Sequence, residues 1–384
     1  MKLSRMLSLA DVERAALARL PDCVGGFIRG GAEDEHSLRR NRHSFERYAL
    51  VPRGLAGVTR RSQETELWGQ RYRTAFGIAP MGNCCLAAFE CDLALARAAA
   101  GQGLPYILSG FSNVALERVR DEVPQLWYQG YLPGDLDRIG KLMERLRRAG
   151  TEVLVVTIDT AVGANRENNA RAGFGIPLRW TPRLAWDGMR HPRWSASVLA
   201  RTLLRSGVPG FPNFTDGPGM RIVDMPRDDF RAGRDALDWG HVAWIRERWR
   251  GRLVLKGVLH PGDAARASSL GVDGVIVSNH GGRQLDGAAS ALDMLPAVVA
   301  AVPAGYPVMM DGGIRRGNDV VKALALGARM VFLGRPMLYG AAVAGQAGVE
   351  AVIRLLHAEV DRDLALLGCA DVGQLTPDVL HRQA

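Results

Sequence analysis

The sequence predicts an α/β protein in which eight βα units close into a barrel. Eight short apolar runs rich in β-branched residues occur between positions 76 and 334, and stretches of helical pattern rich in Ala, Leu and Arg alternate with them. Continuous apolar runs are typical of parallel strands buried on both faces, and their alternation with helices is typical of βαβ units. No Gly-x-Gly-x-x-Gly motif follows a run, so a closed (β/α)8 TIM barrel is favoured over an open doubly wound sheet.

The apolar runs give the bounds of the predicted elements. The strands are residues 76–80, 105–109, 126–129, 153–159, 253–256, 274–278, 307–311 and 330–334, and the clearest helices are residues 92–102, 135–149, 261–270, 319–326 and 349–367. An amphipathic pattern over residues 11–20 predicts an N-terminal helical segment that stops at Pro21, whereas residues 27–32 are expected to form a loop. We expect residues 1–384 to form a single domain.

One connection is much longer than the others. Residues 160–251 form an insertion after strand 4, where an ordinary βα unit needs about 30 residues in all. Within it, residues 176–206 carry Trp180, Trp186 and Trp194 among six arginines, with only Asp187 as an acidic residue. Aromatic rings among arginines suit an anionic membrane surface, but tryptophan and arginine are also enriched at interfaces. The insertion is therefore expected to be a lid, a subunit interface or a membrane-associating segment.

Composition limits the compartment and the partners. The 384 residues are 47% hydrophobic and 23% charged, which excludes disordered and fibrous classes. A net charge of +9 favours acidic partners, but no nucleic-acid-binding motif occurs, so no nucleic acid is expected. Five cysteines show neither metal spacing nor a disulfide framework, so no metal is expected. Without a visible secretory signal or an apolar run of 18 residues, we expect a cytoplasmic protein, with peripheral attachment to the inner face of the cytoplasmic membrane as the alternative.

Polar or charged residues end most of the predicted strands. They are Ser109, Gln129, Thr157 with Asp159, Lys256, Ser278 and Asp311. In barrels of this kind the C-terminal strand ends share one rim, and active sites lie there. Stability alone would favour apolar or arbitrary residues at these positions. The sequence therefore predicts an active site on this rim.

Lys256, at the end of the fifth strand, is one of only four lysines in the chain. A buried ammonium group needs an anion or an electron-rich heteroatom beside it. Its functional alternatives are a Schiff base and a fixed positive charge beside a cofactor. The structural alternative is a side chain that extends to solvent.

The strongest local motif, residues 278–286, follows the sixth strand directly. His280 titrates near neutral pH, and Arg283 offers a planar guanidinium suited to a carboxylate. A base and a carboxylate clamp three residues apart suit removal of a proton from a hydroxy acid. Asp159, after the fourth strand, is placed to orient the imidazole and stabilise its cation. The structural alternative is a core histidine beside a surface arginine.

Glycine-rich turns follow the last two strands. Gly312 and Gly313 come after Asp311, and Gly334 comes after the eighth strand. Barrels build phosphate sites at these two turns from backbone N–H groups, and Arg315 and Arg335 would add charge-assisted hydrogen bonds. The turns therefore indicate a phosphorylated ligand, and simple helix-entry turns are the alternative.

Taken together, these motifs resemble those of the FMN-dependent 2-hydroxy acid dehydrogenases and oxidases. That family includes glycolate oxidase, flavin-linked L-lactate dehydrogenase and (S)-mandelate dehydrogenase, and the pattern is particularly similar to the last two. The resemblance runs from about Leu20 to the C-terminus, and residues 278–286 and 311–317 are its most specific motifs. It implies a single FMN-binding (β/α)8 domain.

The resemblance also implies roles by position. In it, Lys256 stabilises the reduced flavin, Tyr131, Arg166 and Arg283 contact the substrate together with the residue at Phe27, and His280 is the base, assisted by Asp159. The residues implied to bind FMN are Ala79, Pro80, Met81, Ser109, Gln129, Thr157, Lys256, Ser278, Asp311, Gly312, Gly313, Arg315, Gly334 and Arg335.

Three positions bear on how far the resemblance extends. The family has tyrosine at Phe27, and Phe27 cannot donate that hydrogen bond to the substrate carboxylate, a loss on the order of 1–3 kcal/mol in affinity. Asn169 stands where mandelate-type relatives have aspartate, which affects local loop packing. Gly82 is similar to the dehydrogenases, whereas oxidases tend to have alanine there.

The implied activity is FMN-dependent oxidation of an L-2-hydroxy acid, lactate- or mandelate-like, to the 2-oxo acid. The implied electron acceptor is a quinone, and the implied assembly is a homotetramer. The alternatives are an oxidase that uses O2, or, given Phe27, a non-standard substrate such as an amine, a larger hydroxy acid or a modified peptide. A flavin-binding or membrane-associated scaffold without turnover is disfavoured because it has no need of His280, Arg283 and Lys256.

Overall fold

A closed barrel of eight parallel strands lies at the centre of the protein. The computed structural model describes residues 3–214, 219–225 and 233–383. Its barrel strands are β1 (Phe76–Ile78), β2 (Tyr106–Ser109), β3 (Leu126–Gly130), β4 (Val153–Thr157), β5 (Arg252–Val258), β6 (Gly274–Val277), β7 (Val308–Asp311) and β8 (Met330–Leu333). They pair in sequence order, and β8 pairs with β1 to close the barrel. The predicted fold is confirmed, with each strand within two residues of its predicted bounds.

The barrel is filled from inside and closed at its N-terminal end. Trp127 and Phe332 pack in its interior with their ring centroids 5.6 Å apart, among alternate residues of the other strands. A hairpin of Thr65–Leu67 and Gln70–Tyr72 lies across this end. Its Trp68 donates an indole N–H to the carbonyl of Asp273, the residue before β6. The N-terminal end is thus occupied by apolar packing, which leaves the C-terminal strand ends for the site.

Helices surround the barrel, and further helices precede its first strand and follow its last strand. They are α1 (Leu9–Leu17), α2 (Asp22–Arg29), α3 (His36–Glu46), α4 (Cys91–Gly101), α5 (Leu116–Glu122), α6 (Leu136–Arg148), α7 (Glu167–Ala172), α8 (Pro182–Arg190), α9 (Pro192–Trp194), α10 (Arg201–Ser206), α11 (Trp239–Arg248), α12 (Pro261–Ser269), α13 (Ala291–Ala300), α14 (Gly317–Ala325) and α15 (Arg335–Leu367). Strand Tyr48–Leu50 pairs antiparallel with Leu380–Arg382, so the two ends of the chain meet.

One local prediction was wrong in its bounds, and one helical segment was missed. The expected loop over residues 27–32 is helical as far as Arg29, because the carboxylate of Asp187, distant in sequence, accepts the N–H groups of Asp22 and Cys23 and caps α2. The backbone of α15 leaves the helical region at Ala344 and Gly345, and its second segment, which ends at Leu367, confirms the helix predicted over residues 349–367. Its first part was missed because it is nearly uniformly apolar and buried, which hides the helical period.

The insertion folds mainly as helices α7 to α11, with a π-helical turn at Ser195–Ala200. Trp180 is 77% exposed and Trp186 is 61% exposed, but Trp194 is 7% exposed and donates its indole N–H to the carbonyl of Leu86. Trp194 therefore packs against the barrel loops, and of the three tryptophans only Trp180 and Trp186 are at the surface. Among the described residues, no helix combines the length and apolarity needed to cross a bilayer.

Candidate active site

A cavity of about 690 Å³ opens at the C-terminal ends of the barrel strands. It brings together residues that follow seven of the eight strands, Lys256 within β5, the glycine-rich turns and the insertion. The predicted site residues that line it are Phe27, Ala79, Pro80, Met81, Tyr131, Thr157, Arg166, Lys256, His280, Arg283, Asp311, Gly312, Gly313, Arg315, Gly334 and Arg335. The predicted residues Asp159, Ser109, Gln129 and Ser278 lie at the same strand ends without lining the cavity, and they hydrogen-bond other side chains there.

Lys256 is buried at the end of β5 and does not extend to solvent. Only 4% of the residue is exposed, and its Nζ lies 2.9 Å from Asp311 Oδ2 and donates to Ser278 Oγ at 3.1 Å. The hydroxyl of Ser278 donates in turn to Asp311. Burial alone would lower the pKa of Lys256, but Asp311 and Asp159 outweigh it and hold the pKa above its ordinary value. The cavity therefore contains a permanent ammonium charge beside a carboxylate.

His280 forms a close pair with Asp159. Its Nδ1 lies 2.9 Å from Asp159 Oδ1, and its backbone N–H donates to Ser278 Oγ at 3.0 Å. Burial lowers the pKa of His280 below its ordinary value, although Asp159 opposes this shift. Burial would raise the pKa of Asp159, but His280 and Lys256 hold it below its usual value. The lowered pKa favours the neutral imidazole, and the contact of Nδ1 with Asp159 leaves Nε2 as the ring atom that can accept a proton.

The backbone around this pair has little room for change. Gly257 has φ +100°, and a Cβ built on it would lie 2.6 Å from Asp159 Cγ. His280 itself has φ +59°, a region that side-chain-bearing residues rarely adopt. The amide groups of Asn279 and Asn41 hydrogen-bond each other at 2.7 and 2.9 Å and fix this loop against α3. Sequence reasoning missed Asn41 because a helix upstream of the barrel carries it.

Two arginines are held beside His280 by backbone carbonyls. Arg166 donates to the carbonyl of Arg283 at 3.0 Å and to Gln284 Oε1 at 3.2 Å. Arg283 donates to the carbonyls of Phe27 at 2.9 Å and Gly30 at 2.7 Å. Burial, followed by repulsion from Arg166 and Arg335, lowers the pKa of Arg283 well below its ordinary value. A carboxylate in the cavity would relieve that repulsion.

A second pair of arginines lies at the glycine-rich turns. Arg335 donates to the carbonyls of Ile28, Gly30 and Gly281 at 2.9 to 3.0 Å. Burial and the neighbouring Arg315 lower its pKa to about 10. Arg335 also begins α15, whose N-cap residue Gly334 lines the cavity and has no side chain to cap the helix. Positive charge and a helix N-terminus at one place favour an anion such as phosphate.

Three buried side-chain atoms near the strand ends have no hydrogen-bond partner among the described residues. They are Gln129 Nε2, Thr157 Oγ1 and Asp159 Oδ2. Gln129 uses its Oε1 to accept from Ser109 at 3.0 Å, which leaves its amide as a donor. Buried polar atoms without partners are uncommon, and they usually indicate a missing water or ligand.

Phe27 lies at the edge of the cavity on α2. Its ring stacks on Phe174 with centroids 4.3 Å apart, and the guanidinium of Arg283 lies 5.1 Å from its centre. Phe174, from the insertion, was not anticipated from the sequence. The two rings together form an apolar wall, so this side of the cavity offers no hydroxyl group.

A further aromatic cluster was also missed. Phe111 lies after β2, and its ring centroid is 4.9 Å from that of Tyr131 and 5.1 Å from that of Phe214. The guanidinium of Arg234 lies over all three rings. Arg234 and Phe214 belong to the insertion, where no strand pattern signals which residues reach the site.

Fold and cavity together define an α/β-barrel enzyme with a cationic site for a phosphorylated cofactor and an anionic substrate. A family model described as FMN-dependent dehydrogenase matches residues 16–382. The chain is 38% identical over 379 residues to (S)-mandelate dehydrogenase of Pseudomonas putida, covering 98% of this chain and 94% of that protein. It is 38% identical over 384 residues to L-lactate oxidase of Nostoc sp., covering 99% of both.

Structural comparison agrees. The crystal structure of the monotopic membrane protein (S)-mandelate dehydrogenase superposes with a TM-score of 0.90 at 37% identity, covering 99% of this chain and all of that one. The chain belongs to the FMN-dependent dehydrogenase family. It is an FMN-dependent oxidoreductase that acts on the CH–OH group of a small 2-hydroxy acid. In the described ranges, no group of three or more His, Cys, Asp or Glu side chains is placed to hold a metal ion.

Proposed function

We propose that this enzyme oxidises an L-2-hydroxy acid, lactate- or mandelate-like, to the 2-oxo acid, and that its electrons pass to a quinone-type acceptor. One observation carries the proposal: the imidazole of His280, with Nδ1 2.9 Å from Asp159, lines the same cavity as two arginines that donate to backbone carbonyls. That combination supplies a base and an anion clamp within one site.

The residues present fit FMN. Thr157 Oγ1, which lines the cavity, and Gln129 Nε2 on the neighbouring strand lack a hydrogen-bond partner among the described residues, and both suit the polar edge of a flavin ring. Lys256 places a buried positive charge at the strand ends, where it would favour an anionic reduced ring. Arg315, Arg335 and the N-terminus of α15 suit the phosphate. When bound, FMN supplies the two-electron acceptor for the oxidation.

His280 accepts the proton that the substrate loses in the reaction. Oxidation of a 2-hydroxy acid to the 2-oxo acid removes two protons and two electrons, and a base in the site must accept a proton from the substrate. Nε2 of His280 accepts that proton, because Nδ1 is committed to Asp159. The imidazolium formed is stabilised by the Asp159 carboxylate at 2.9 Å. The same residues serve whether the proton leaves before the electrons or with them.

The substrate carboxylate is oriented by Arg166 and Arg283. Hydrogen bonds to the carbonyls of Phe27 and Gly30 fix the guanidinium of Arg283, so it need not reorganise when the carboxylate binds. Tyr131 lines the same cavity, and its ring centroid lies 6.3 Å from that of the His280 imidazole. Phe27 contributes an apolar wall in place of a hydroxyl donor.

Reductive titration tests the activity and the acceptor together. The FMN-loaded protein is mixed anaerobically with L-lactate, (S)-mandelate and glycolate, and the flavin absorbance is followed. Bleaching by lactate or mandelate is expected, with faster reoxidation by a soluble quinone than by air. Rapid reoxidation by air alone would favour the oxidase alternative, which the similarity to an L-lactate oxidase makes the second candidate. No bleaching by any of the three acids would contradict the proposal.

We also propose that residues 176–206 attach the protein to an anionic membrane surface. Trp180, Trp186, Met189 and Leu204 are exposed there, among exposed arginines, and Asp187 is turned inward to cap α2. Apolar side chains among arginines are typical of interfacial segments, and the solved (S)-mandelate dehydrogenase is a monotopic membrane protein.

Flotation with anionic liposomes measures this attachment. Replacement of Trp180 and Trp186 by serine should reduce co-flotation, whereas replacement of the exposed Leu55 and Leu366, outside the insertion, should not. Equal flotation of both double variants would contradict the membrane proposal. The homotetramer implied by the resemblance remains a prediction, and light scattering on the purified protein checks it.

A further inference from the structure

Helix α3 precedes the barrel in the chain and is bonded to two separate parts of the active site. Its Asn41 and Arg42 are adjacent in the sequence, and both lie outside the lining of the cavity. The reaction, with its base and its carboxylate clamp, gives neither residue a direct role. Their hydrogen bonds nevertheless lead to the loop that carries His280 and to the glycine-rich turn after β7.

Asn41 is bonded to the loop of the base through Asn279, the residue before His280. The two side-chain amides each donate to the oxygen of the other, at 2.7 and 2.9 Å, and the residues are only 2% and 4% exposed. Asn279 Oδ1 also accepts the backbone N–H of Gly282 at 3.1 Å, and Asn279 Nδ2 donates to the carbonyl of Ala289 at 3.0 Å. Asn41 therefore holds in place an amide whose oxygen and nitrogen both support the loop.

The loop needs such support because its backbone lies in a region that few residues adopt. His280, Gly281 and Gly282 follow one another with φ of +59°, +65° and +73°. Glycine takes these angles freely, but a residue with a Cβ keeps them only where its surroundings impose them. The hydrogen bond from Gly282 to Asn279 closes this turn. The pair of Asn41 and Asn279 thus holds the backbone from which the imidazole of His280 extends.

Arg42 is bonded instead to the glycine-rich turn. Its guanidinium donates to the carbonyl of Gly313 and forms an ion pair with Asp319 at 2.7 Å. The same carboxylate oxygen of Asp319 accepts the backbone N–H groups of Arg315 at 2.7 Å and of Arg316 at 3.0 Å. Arg42 therefore supports the turn whose glycines and arginine suit the phosphate of FMN.

We propose that α3 positions the two halves of the active site separately, with Asn41 acting on the base His280 and Arg42 acting on the turn that suits the phosphate. Both are positioning residues, because they act through neighbours and lie outside the cavity lining. The inference rests on the proposed function, which assigns the base and the phosphate to these two places. Adjacent substitutions in one helix should therefore affect different steps.

Asn41→Leu tests the first half. Leucine keeps the volume of asparagine but makes neither amide hydrogen bond, so His280 loses part of its support. In the FMN-loaded protein, anaerobic flavin reduction by L-lactate or (S)-mandelate should slow roughly tenfold or more, because a small displacement of a catalytic group slows the reaction strongly. The dissociation constant of the corresponding 2-oxo acid should change less than about threefold, since the carbonyls of Phe27 and Gly30 hold Arg283 independently.

Arg42→Met tests the second half. Methionine keeps most of the aliphatic length but removes the donor to Gly313 and the cation beside Asp319. The dissociation constant of FMN, measured by equilibrium ultrafiltration, should rise roughly tenfold, because charge-assisted hydrogen bonds that hold the turn are lost. Arg42→Lys should retain part of the affinity because it keeps the charge. At saturating FMN, the rate of flavin reduction in Arg42→Met should stay within about threefold of the wild-type rate.

Further variants separate positioning from a loss of stability. Gln63→Leu also removes a buried side-chain amide, one that donates to the carbonyl of His357 away from the cavity, and it should change neither quantity. Asn41→Leu should add nothing to the effect of Asn279→Leu on the rate, because Asn41 acts through Asn279. Thermal denaturation shows whether each variant has folded, and Asn41→Ala carries the same expectation if leucine is not accommodated.

The outcomes separate this inference from the proposed function. Flavin reduction at the wild-type rate in Asn41→Leu would overturn the inference, as would a further loss of rate when Asn41→Leu is added to Asn279→Leu. Equal changes of rate and FMN affinity in Asn41→Leu and Arg42→Met would also overturn it, because α3 would then act on the site as a whole. If no 2-hydroxy acid reduces the wild-type flavin, the proposed function itself is wrong, and the FMN affinities still decide the part assigned to Arg42.

Discussion

Replacement of Asp159 by asparagine tests whether the carboxylate behind His280 stabilises the imidazolium formed during the reaction. The two side chains are 2.9 Å apart and only 17% and 14% exposed, and asparagine keeps the shape and one acceptor oxygen. An opposite charge at such a distance shifts a pKa by about 1–3 units, which corresponds to roughly 1.4–4 kcal/mol. The variant should therefore reduce its flavin about 10- to 1,000-fold more slowly than the wild type.

Anaerobic stopped-flow measurement of flavin bleaching gives this rate directly. Asp286→Asn is the matched control, because Asp286 lies in the loop that carries His280 but accepts hydrogen bonds from the backbone N–H groups of His36 and Ser37. The pH profile adds a second criterion. A base must be neutral to act, and the pKa of His280 lies below its ordinary value, so activity should fall only below about pH 6.5. Loss of Asp159 should move this acid limb to lower pH, and a wild-type rate in Asp159→Asn would refute the reasoning.

Two further substitutions test the geometry that supports the pair and the buried ammonium. Gly257→Ala should slow flavin reduction, because its Cβ would collide with Asp159. Gly287→Ala is the control: Gly287 has φ +78° and open space around it, so this variant should lose stability alone. Stopped-flow bleaching measures the rate and thermal denaturation measures the stability, and equal rates in the two variants would contradict this account. Lys256→Met should lose FMN and about 3–5 kcal/mol of stability, because it leaves the carboxylate of Asp311 buried without its cation. Adding Asp311→Asn should recover part of that stability in chemical denaturation, and a double variant no more stable than the single one would show that the ion pair is not the cause.

The barrel could be predicted from the sequence because its signals are local. Each buried strand reads as an apolar run, and the polar residue that ends it marks the functional rim. Lys256, Asp311 and His280 were found in this way, and the structure brings all three to one cavity. Ser109 and Gln129 lie at the same rim and hydrogen-bond each other there, and their contact with the flavin stays a prediction.

The parts that could not be predicted depend on contacts between distant segments. Asp187 caps α2 from the insertion, which made a predicted loop helical. Phe174 and Arg234 line the cavity from the insertion. In that segment neither a strand end nor a motif of regular residue spacing predicts which residues belong to the site. Trp194 lies in the same arginine-rich sequence context as Trp180 and Trp186. Only the structure shows that it is buried, with its indole N–H donated to the carbonyl of Leu86.

The most direct test of the central claim is anaerobic flavin reduction by His280→Ala loaded with FMN. If the imidazole is the proton acceptor, the variant should retain its flavin and bind a 2-oxo acid, yet reduce the flavin about 10²- to 10⁴-fold more slowly than the wild type. Reduction at close to the wild-type rate, with flavin content unchanged, would contradict the account.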